Sequence, residues 1–568
     1  MKKKILLISL ALVLAISMGI VGCTTPSEEE EEEEEEPTGP QGTLVIARAS
    51  LSHETFLPWT GGAIEKNYLS GTIYESLTLR DRDGNMLPCL ATDWDLSEDG
   101  KTWTVTLLSG IHFHDAEGND WGTMTSEDVK YTFERLMGED SISHIKGSLT
   151  GGNGIESIET NGDYEVLFHL KGPNVAFMNT CTGPDMNGVV CKAYLDQYGD
   201  EVAAANPVGT GPYVKDKHVV GGYIQLRAID DYENHWRMGG VWLDATKYFE
   251  YIKLVVVPEV GARVIGLLSG DYDMVEIGAE VVNQVEGEPG VAVLPDIEVI
   301  LATDVIRFGG LDKLDEYCDP PRYDPDNPWA DDTMVGDTTA GVLVRQAMNL
   351  AIDRDEMVNT IYEGVGIPAV ASMSIPEWMT TLTAYDYNPT LAEDLLDDAG
   401  YPRSAPDAVD RFSITLIADE RYSAEIVTLV VADYWEGVGI DVTIENRLWS
   451  NLRPAWAAGE LNTGYAWTHR TPPTSLDPML AINMAFDPTA VLGDYSDEET
   501  EALRTAIAQE LDPAQRTQYV KDLGAYAHDV STQIFLVAVY GPIGVSTELA
   551  EPRDVFDLKE NIELIHRK

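Results

Sequence analysis

Strand-like and helix-like segments alternate along nearly the whole chain, and this alternation restricts the fold more than any other feature of the sequence. Short apolar runs predict strands, beginning at residues 44–47. Capping residues followed by apolar side chains at helical spacing predict the helices between them. Interleaved strands and helices are typical of α/β proteins, so we expect that fold class. Further strands are predicted at residues 103–107, 164–170, 224–226, 412–417 and 442–444, and helix starts at Thr125, Asp353, Asn388, Ser496 and Asp512.

The charge balance argues against a nucleic-acid-binding role. The chain has 568 residues, with 38 Lys and Arg against 96 Asp and Glu, which gives a formal net charge of −58. Affinity for a polyanion comes largely from basic side chains that neutralise phosphates, so nucleic acids should be repelled. The hydrophobic fraction of 44% still predicts a buried core, and the length predicts several folding units.

The N-terminus has the pattern of a secretory signal. Met1 is followed by three lysines, an apolar stretch at residues 5–21 and then Gly22 and Cys23. Residues 20–23 (IVGC) resemble a bacterial lipobox, which implies cleavage before Cys23, lipid attachment to it, and an extracytoplasmic location on the cell membrane or facing the periplasm. A retained transmembrane anchor is the alternative, because the apolar run approaches the roughly 18 to 20 residues that cross a bilayer.

Nine consecutive glutamates follow at residues 28–36, with prolines on both sides. A block of like charges repels itself and stays extended, so residues 23–42 are predicted to be a disordered acidic tether, with a cation-binding role as the alternative. Without the three signal lysines and these nine glutamates, the rest of the chain keeps a net charge of −52. The folded body is therefore acidic in its own right.

The remaining cysteines lack the spacing of a zinc or redox site. A disulfide is allowed outside the cytoplasm, and Cys181 with Cys191 is the favoured pair because Gly and Pro residues between them let the chain turn back. Buried free thiols are the alternative. The other two are Cys89 and Cys318.

Motifs for catalysis are missing from the sequence. It contains no P-loop, nucleophile elbow, zinc-protease helix or EF-hand loop. His112, His114 and Asp115 resemble half of a metal site, but a hydrogen-bonded strand end is favoured because a third His or Cys is not evident nearby. The GTG at residues 209–211 precedes a proline, which removes an N–H that a phosphate loop needs, so a tight structural turn is predicted. We predict no catalytic residues, no metal and no cofactor.

Two loops that follow predicted strands carry aromatic and charged side chains together. Residues 464–470 run from strand-like alternation into a Thr-Pro-Pro loop, and residues 52–59 follow the first strand. Ligands of open α/β sheets gather where strands end in loops, so these two loops predict a binding cleft. The candidate ligand-binding residues are His53, Glu54, Trp59, Trp467, His469 and Arg470.

Six motifs occur in order along the body: 74–77 (YESL), 87–94 (LPCLATDW), 207–213 (PVGTGPY), 344–353 (VRQAMNLAID), 395–402 (LLDDAGYP) and 439–442 (GIDV). Together they resemble the family 5 extracellular solute-binding proteins, the peptide-binding type that serves ABC importers. The resemblance implies a two-lobe periplasmic-binding-protein fold, type II-like, with an extra subdomain in the first lobe and a ligand cleft between the lobes. On this chain the implied bounds are 1–22 for the signal, 23–42 for the tether, 43–299 plus 532–568 for the first lobe with its subdomain at about 75–200, and 300–531 for the second lobe.

One position departs from the family pattern. In the peptide binders an Asp stands three residues after the Trp of the Trp467 strand and pairs with the ligand's α-amino group, but this chain has Arg470 there. A guanidinium favours a carboxylate or another anion over an ammonium group. Capture of a free peptide N-terminus would then need Asp477 or Glu54 to supply the charge. The ligand is expected to be a peptide, with an anionic or non-peptide solute as the alternative.

The resemblance implies a non-enzymatic role as the substrate-binding component of an ABC transporter. The expected partners are the solute, the permease and ATPase subunits, and the membrane through the lipid anchor only; the protein is expected to be monomeric. Two alternatives are a secreted enzyme on the same scaffold and a sensory lipoprotein without a transporter. A nucleophile and base converging in the cleft would favour the enzyme.

Overall fold

Two mixed β-sheets, of seven and six strands, organise the chain in this computed structural model. The described residues all belong to one compact unit, Gly39–Lys568. They are residues 40–49, 51, 55–60, 72–80, 86–143, 145–180, 188–230, 248–294, 302–314, 321–419, 424–471, 478–488, 495–539, 543–550 and 565–568.

The first sheet is built around β1, the predicted first strand, whose apolar side chains Leu44 and Ile46 are buried. This strand (Thr43–Arg48) pairs in parallel with β12 (Tyr251–Val256) and β13 (Met274–Glu276). All other pairs of adjacent strands in this sheet are antiparallel. In order across the sheet, the strands are β10 (Tyr213–Val219), β11 (Tyr223–Ala228), β12 (Tyr251–Val256), β1 (Thr43–Arg48), β13 (Met274–Glu276), β23 (Ile543–Ser546) and β14 (Val291–Leu294).

The described residues also form a separate four-stranded antiparallel sheet and several two-stranded pairs. The four-stranded sheet buries alternate side chains, such as Val105 and Phe168, against the core of the first sheet, as a period of two requires. Its strands, in order, are β4 (Ala91–Leu96), β5 (Thr102–Leu107), β9 (Glu165–Leu170) and β8 (Ile155–Thr160). The two-stranded pairs are β2 (Thr78–Arg80) with β3 (Met86–Pro88), β6 (His112–His114) with β7 (Asp120–Thr123), β16 (Met334–Val335) with β17 (Thr338–Thr339), and β24 (Leu549–Ala550) with β25 (His566–Arg567).

The second sheet has its own hydrophobic core. Its strand β19 runs parallel to β20 and β21, whereas β15 runs antiparallel to β21 and β22. In order across the sheet, the strands are β18 (Ile367–Pro368), β22 (Ile534–Val539), β15 (Ala302–Phe308), β21 (Tyr465–Thr471), β19 (Ser413–Asp419) and β20 (Asp441–Arg447).

The helix starts follow the predicted caps with one exception. Thr125, Asp353, Asn388 and Asp512 occupy N-cap positions, as predicted. Ser496 does not, because its hydroxyl bonds to the buried Asp312 carboxylate. The next residue, Asp497, accepts the Thr500 N–H at 2.9 Å and caps the helix instead.

The helices alternate with the strands, which confirms the α/β class. Their bounds are α1 (Ser126–Met137), α2 (Lys146–Thr150), α3 (Phe177–Thr180), α4 (Lys192–Ala205), α5 (Val260–Ser269), α6 (Ala340–Leu350), α7 (Arg354–Thr360), α8 (Pro376–Thr381), α9 (Pro389–Asp398), α10 (Ala424–Gly437), α11 (Trp449–Ala457), α12 (Pro478–Phe486), α13 (Glu498–Gln509) and α14 (Pro513–Asp529), with a 3₁₀ helix at Ala279–Gln284.

The chain passes from the first sheet to the second and later returns. Strand β15 begins the second sheet, and β22 still pairs with it, with Ala302 opposite Val539. Strand β23 then pairs with β13 and β14 of the first sheet. The predicted return at residue 532 is therefore too early, because residues 534–539 complete the second sheet. The other domain bounds stay predictions.

The GTG segment at residues 209–211 forms the predicted tight structural turn. A Cβ on Gly209 would lie 2.0 Å from the Ile73 carbonyl oxygen, and one on Gly211 would lie 2.2 Å from the Thr72 carbonyl oxygen. Only glycine permits so close an approach of two backbones. The Gly211 N–H also donates to the Ile73 carbonyl at 2.9 Å. This motif therefore packs two segments of the first lobe together.

Candidate functional site

A small pocket lies at the carboxyl ends of two parallel strands of the second sheet. Asp419 is the last residue of β19, and Arg470 is the next-to-last residue of the parallel strand β21. The first turn of α10 forms another wall. Open α/β sheets bind ligands at such strand ends. The pocket has a cavity volume of about 10 Å³, which is room for about one water molecule. It is lined by Asp304, Val305, Asp419, Ala424, Val427, Thr468, His469, Arg470 and Leu536.

Arg470 is held in the pocket by Asp304, which lies directly opposite it on β15. The Arg470 Nε and Nη2 atoms donate to Asp304 Oδ1 and Oδ2, each at 2.7 Å. Only 9% of the Asp304 side chain and 20% of the Arg470 side chain are exposed. A bidentate pair of this kind is stronger than two neutral hydrogen bonds. The positive charge that the sequence places in the cleft is therefore balanced within the protein.

Tyr362 adds a third hydrogen bond to the same carboxylate. Its hydroxyl donates to Asp304 Oδ2 at 2.5 Å. Burial and the neighbouring Asp304 charge hold the pKa of the Tyr362 phenol well above its usual range. The phenol therefore stays protonated and remains a donor, so both oxygens of Asp304 accept hydrogen bonds from the protein.

Asp419 gives the pocket a second carboxylate. Its nearest register partner on β20 is Arg447. The Arg447 guanidinium donates to Glu445 at 2.7 and 3.1 Å and is balanced there. The pocket lining therefore contains the carboxylates of Asp304 and Asp419 and the guanidinium of Arg470.

His469 joins the pocket to an aromatic cluster. Its ring centroid lies 5.5 Å from that of Trp449 and 6.5 Å from that of Trp456. Trp456 in turn packs 5.0 Å from Trp467 and lies under the Arg307 guanidinium at 4.9 Å. These contacts fix the imidazole next to Arg470 and present it beside an indole surface.

Trp467 is a core residue of the second lobe and does not line the pocket. It is 1% exposed and packs against Ile417, Leu452 and Trp456. Strand β21 is covered on both faces, since Ala466 belongs to the main core and Trp467 to this smaller one. The predicted role of Trp467 in ligand contact is therefore not supported by its position.

Trp59 is likewise part of a core, in the first lobe. It is 2% exposed, and its Nε1 donates to Asp200 Oδ2 at 3.1 Å. The Arg135 guanidinium lies 4.3 Å from the centre of the indole ring and pairs with the same carboxylate. Trp59 thus connects its loop to helices α1 and α4. His53, Glu54 and Asp477, the other candidates, lie outside the described residues.

Of the six predicted ligand-binding residues, the structure brings His469 and Arg470 together in one pocket. Sequence reasoning missed Asp304, Tyr362 and Asp419. Asp304 did leave a signal, because it is a charged residue in a strand whose other residues are mostly apolar. A buried charge requires a partner, but the sequence does not say which one.

The two histidines proposed as half of a metal site have separate structural partners. His112 Nδ1 lies 3.0 Å from both Asp120 carboxylate oxygens, and His114 Nε2 lies 2.8 Å from the Gly211 carbonyl oxygen. Burial lowers the pKa of His114. Within the described ranges, no group of three His, Cys, Asp or Glu side chains is arranged to hold a metal ion.

Of the two cysteines in the predicted disulfide, only Cys191 lies within the described residues. Cys191 is a buried free thiol, and burial raises its pKa to about 11. Its predicted partner Cys181 lies outside the described residues. The pairing stays a prediction, as does lipid attachment at Cys23, which also lies outside them.

The sequence of the chain matches a family of solute-binding proteins. A family model described as "Bacterial extracellular solute-binding proteins, family 5 Middle" matches residues 85–515. The chain belongs to this family. This family 5 protein is 25% identical over 430 residues to the oligopeptide-binding protein AppA of Bacillus subtilis (strain 168), covering 72% of this chain and 70% of AppA. It is also 25% identical over 412 residues to heme-binding protein A of Haemophilus influenzae, covering 69% and 68% of the two chains.

The fold of this family 5 protein is that of solved periplasmic binding proteins. It matches the ABC transporter-associated protein DppA from Helicobacter pylori, solved with the peptide STSA, with a TM-score of 0.77 and 21% identity, over 93% of this chain and 99% of that one. The predicted two-lobe periplasmic-binding-protein fold and the predicted solute-binding role are confirmed. In the part of the chain that the structure describes, no helix is both long and apolar enough to span a bilayer.

Proposed function

We propose that this protein captures a peptide or related small solute between its lobes and delivers it to the permease of an ABC importer. The observation that carries the proposal is the pocket at the ends of β19 and β21, where charged, polar and apolar side chains converge on a family 5 scaffold. DppA, which has the same fold, is described as ABC transporter-associated and holds a peptide. In this role ligand binding shifts the two lobes toward closure by its extra affinity for the closed form.

We place the protein outside the cytoplasm as a monomer, with a lipid on Cys23 and an acidic tether before the body. Two acyl chains or more give stable anchoring, which keeps the receptor near its permease. The proposed protein partners are the permease and ATPase subunits. Mass spectrometry of the N-terminal fragment from membranes would test the anchor; an unmodified Cys23 would contradict it.

The charge of the pocket favours a ligand with a positive group over an anionic one. The lining holds two carboxylates and one guanidinium, and the guanidinium is already paired. We propose Asp419, the second carboxylate of the lining, as the group that receives a ligand ammonium. The alternative is an anionic solute that contacts Arg470, and the Asp304 pair weighs against it.

Isothermal titration of the purified body against tripeptides with free and N-acetylated amino termini tests this assignment. The free amine should bind more tightly, and Asp419→Asn should weaken it about tenfold or more while leaving the acetylated peptide nearly unchanged. Asp441→Asn is the matched control, because Asp441 lies on the neighbouring strand β20 and does not line the pocket. Equal or tighter binding of the acetylated peptide would contradict the proposal. Turnover of a peptide by the purified protein would favour the enzyme alternative.

A further inference from the structure

We propose that Arg470 is an anion site that the protein itself occupies with Asp304, so that Asp304 determines which ligand charge the pocket accepts. The consequence for ligands rests on the proposed function, whereas the occupied site is a property of two neighbouring strands. The occupied site can be tested without a ligand, so its failure can be distinguished from a failure of the proposed function.

The geometry of the pair is that of a bound carboxylate. Arginine recognises carboxylates through two parallel N–H donors, and the Asp304 oxygens take both of these positions at 2.7 Å. The two residues are direct register partners on β15 and β21. The contact is therefore fixed by the backbone of the sheet and does not depend on the conformation of a loop.

The surroundings hold this carboxylate in place. Tyr362 donates to one of its oxygens at 2.5 Å, and the side chain is almost fully buried. Next to the pair, the Thr471 hydroxyl lies 3.0 Å from the Thr303 carbonyl oxygen and 3.1 Å from the Ser372 carbonyl oxygen, and its one proton is shared between them. This contact links β15, β21 and the segment before α8. A ligand anion would have to displace a group that is already bound without loss of translational freedom. The pocket should therefore reject anionic groups at this position.

Removal of the Asp304 carboxylate should convert the pocket into an open anion site. Asp304→Ala removes the carboxylate and leaves a space of about its size next to the largely buried Arg470 guanidinium. Loss of one partner of a buried ion pair is strongly destabilising, so Tm should fall by about 5 °C. A small carboxylate that enters the pocket should then take the vacated place.

The direct test is chemical rescue with acetate, followed by thermal unfolding. Acetate at about 100 mM should restore at least half of the lost Tm in Asp304→Ala, because a ligand that binds only the folded state raises its stability. The wild type and the double variant Asp304→Ala/Arg470→Gln, measured in the same buffers, should show only the general effect of salt. An equal response of all three proteins, or no response of Asp304→Ala, would overturn the proposal.

If Asp304→Ala does not fold, a second variant tests the same proposal. Arg470→Ala leaves Asp304 in place with a cavity shaped for a guanidinium group, and guanidinium ion at about 10 mM should raise its Tm while lowering or not changing that of the wild type. Sodium ion at the same concentration is the control. Absence of rescue by guanidinium in a folded Arg470→Ala protein would overturn the proposal as well.

The ligand consequence is measured with two probes of opposite charge. N-acetyl-alanyl-alanine is an anion and alanyl-alanine amide is a cation at neutral pH. The ratio of their affinities should shift toward the anion by about tenfold or more in Asp304→Ala compared with the wild type. If neither probe binds the wild type, the peptide part of the proposed function fails, while the acetate experiment still decides the occupied site.

Discussion

Replacement of Trp59 by Phe separates a structural role from a ligand-binding one. The indole lies in the core of the first lobe, donates to Asp200 and stacks under Arg135. Phenylalanine keeps an aromatic ring in the same place but removes the N–H. We therefore expect Trp59→Phe to lower stability and to leave ligand affinity nearly unchanged.

The size of the effect follows from three losses. The hydrogen bond to Asp200 is worth about 1 kcal/mol, because that carboxylate is 43% exposed and regains water when the donor is removed. The weaker stacking with Arg135 costs roughly 0.5 kcal/mol. The smaller ring buries roughly 40 Å² less apolar area, which costs about 1 kcal/mol. The expected total is about 2 to 3 kcal/mol, which corresponds to a fall in Tm of about 5 °C.

Differential scanning calorimetry measures the Tm, and titration with a peptide that the wild type binds measures the affinity. Trp94→Phe is the matched control, because Trp94 is a partly buried tryptophan that packs at the edge of the same core. Its Tm should change by less than about 2 °C. A Trp59→Phe protein with unchanged Tm and a tenfold weaker affinity would refute the structural role and restore Trp59 as a ligand contact.

Three further predictions use other parts of the fold. Gly209→Ala should destabilise the protein by roughly 3 kcal/mol or prevent folding, because its Cβ would lie 2.0 Å from the Ile73 carbonyl oxygen. Gly152→Ala is the control and should not destabilise the protein in this way, because a Cβ there meets no atom within 4 Å. Urea unfolding compares the stability of the two variants. Cys191 should resist iodoacetamide at pH 8 until the protein unfolds, because its pKa is raised to about 11, and a thiol still unreactive after denaturation without reductant would favour the cystine instead. Arg135 lowers the pKa of Asp200, so the ionised Asp200 stabilises the protein above the ordinary carboxyl pKa, and this stabilisation is lost as the pH falls through the lowered pKa. Asp200→Asn should therefore make Tm less dependent on pH in that acidic range. A pH dependence of Tm equal to that of the wild type would contradict the prediction.

Local features of the fold could be predicted from the sequence because they depend on neighbouring residues. The strand at Ser413–Asp419 and the helix that begins after Asn388 follow from apolar runs and capping side chains. The shift from Ser496 to Asp497 shows the limit of this reasoning. Both residues can cap a helix, and the choice depends on Asp312, which lies 184 residues away and takes the serine hydroxyl.

The site was harder to predict because its contacts join distant parts of the chain. Residues 464–470 predicted His469 and Arg470 as ligand contacts, and both line one pocket at the end of β21. Trp467, predicted from the same segment, is buried because β21 is covered on both faces. Arg470 and Asp304 are 166 residues apart, and only the register of β15 against β21 brings them together. A basic residue in a predicted cleft therefore indicates a charge but not whether that charge is available to a ligand.

The pairing of Ala302 with Val539 makes the second lobe an insertion into the first. Everything from β15 to β22 enters and leaves the second sheet at adjacent positions, so the segment has the topology of a module spliced into a host domain. Because β14 and β23 are neighbours in the host sheet, we expect that a short linker between them can replace the inserted segment. The chain is thus divided by its topology into a host lobe and an inserted lobe, and both residues of the Asp304–Arg470 pair belong to strands of the inserted lobe.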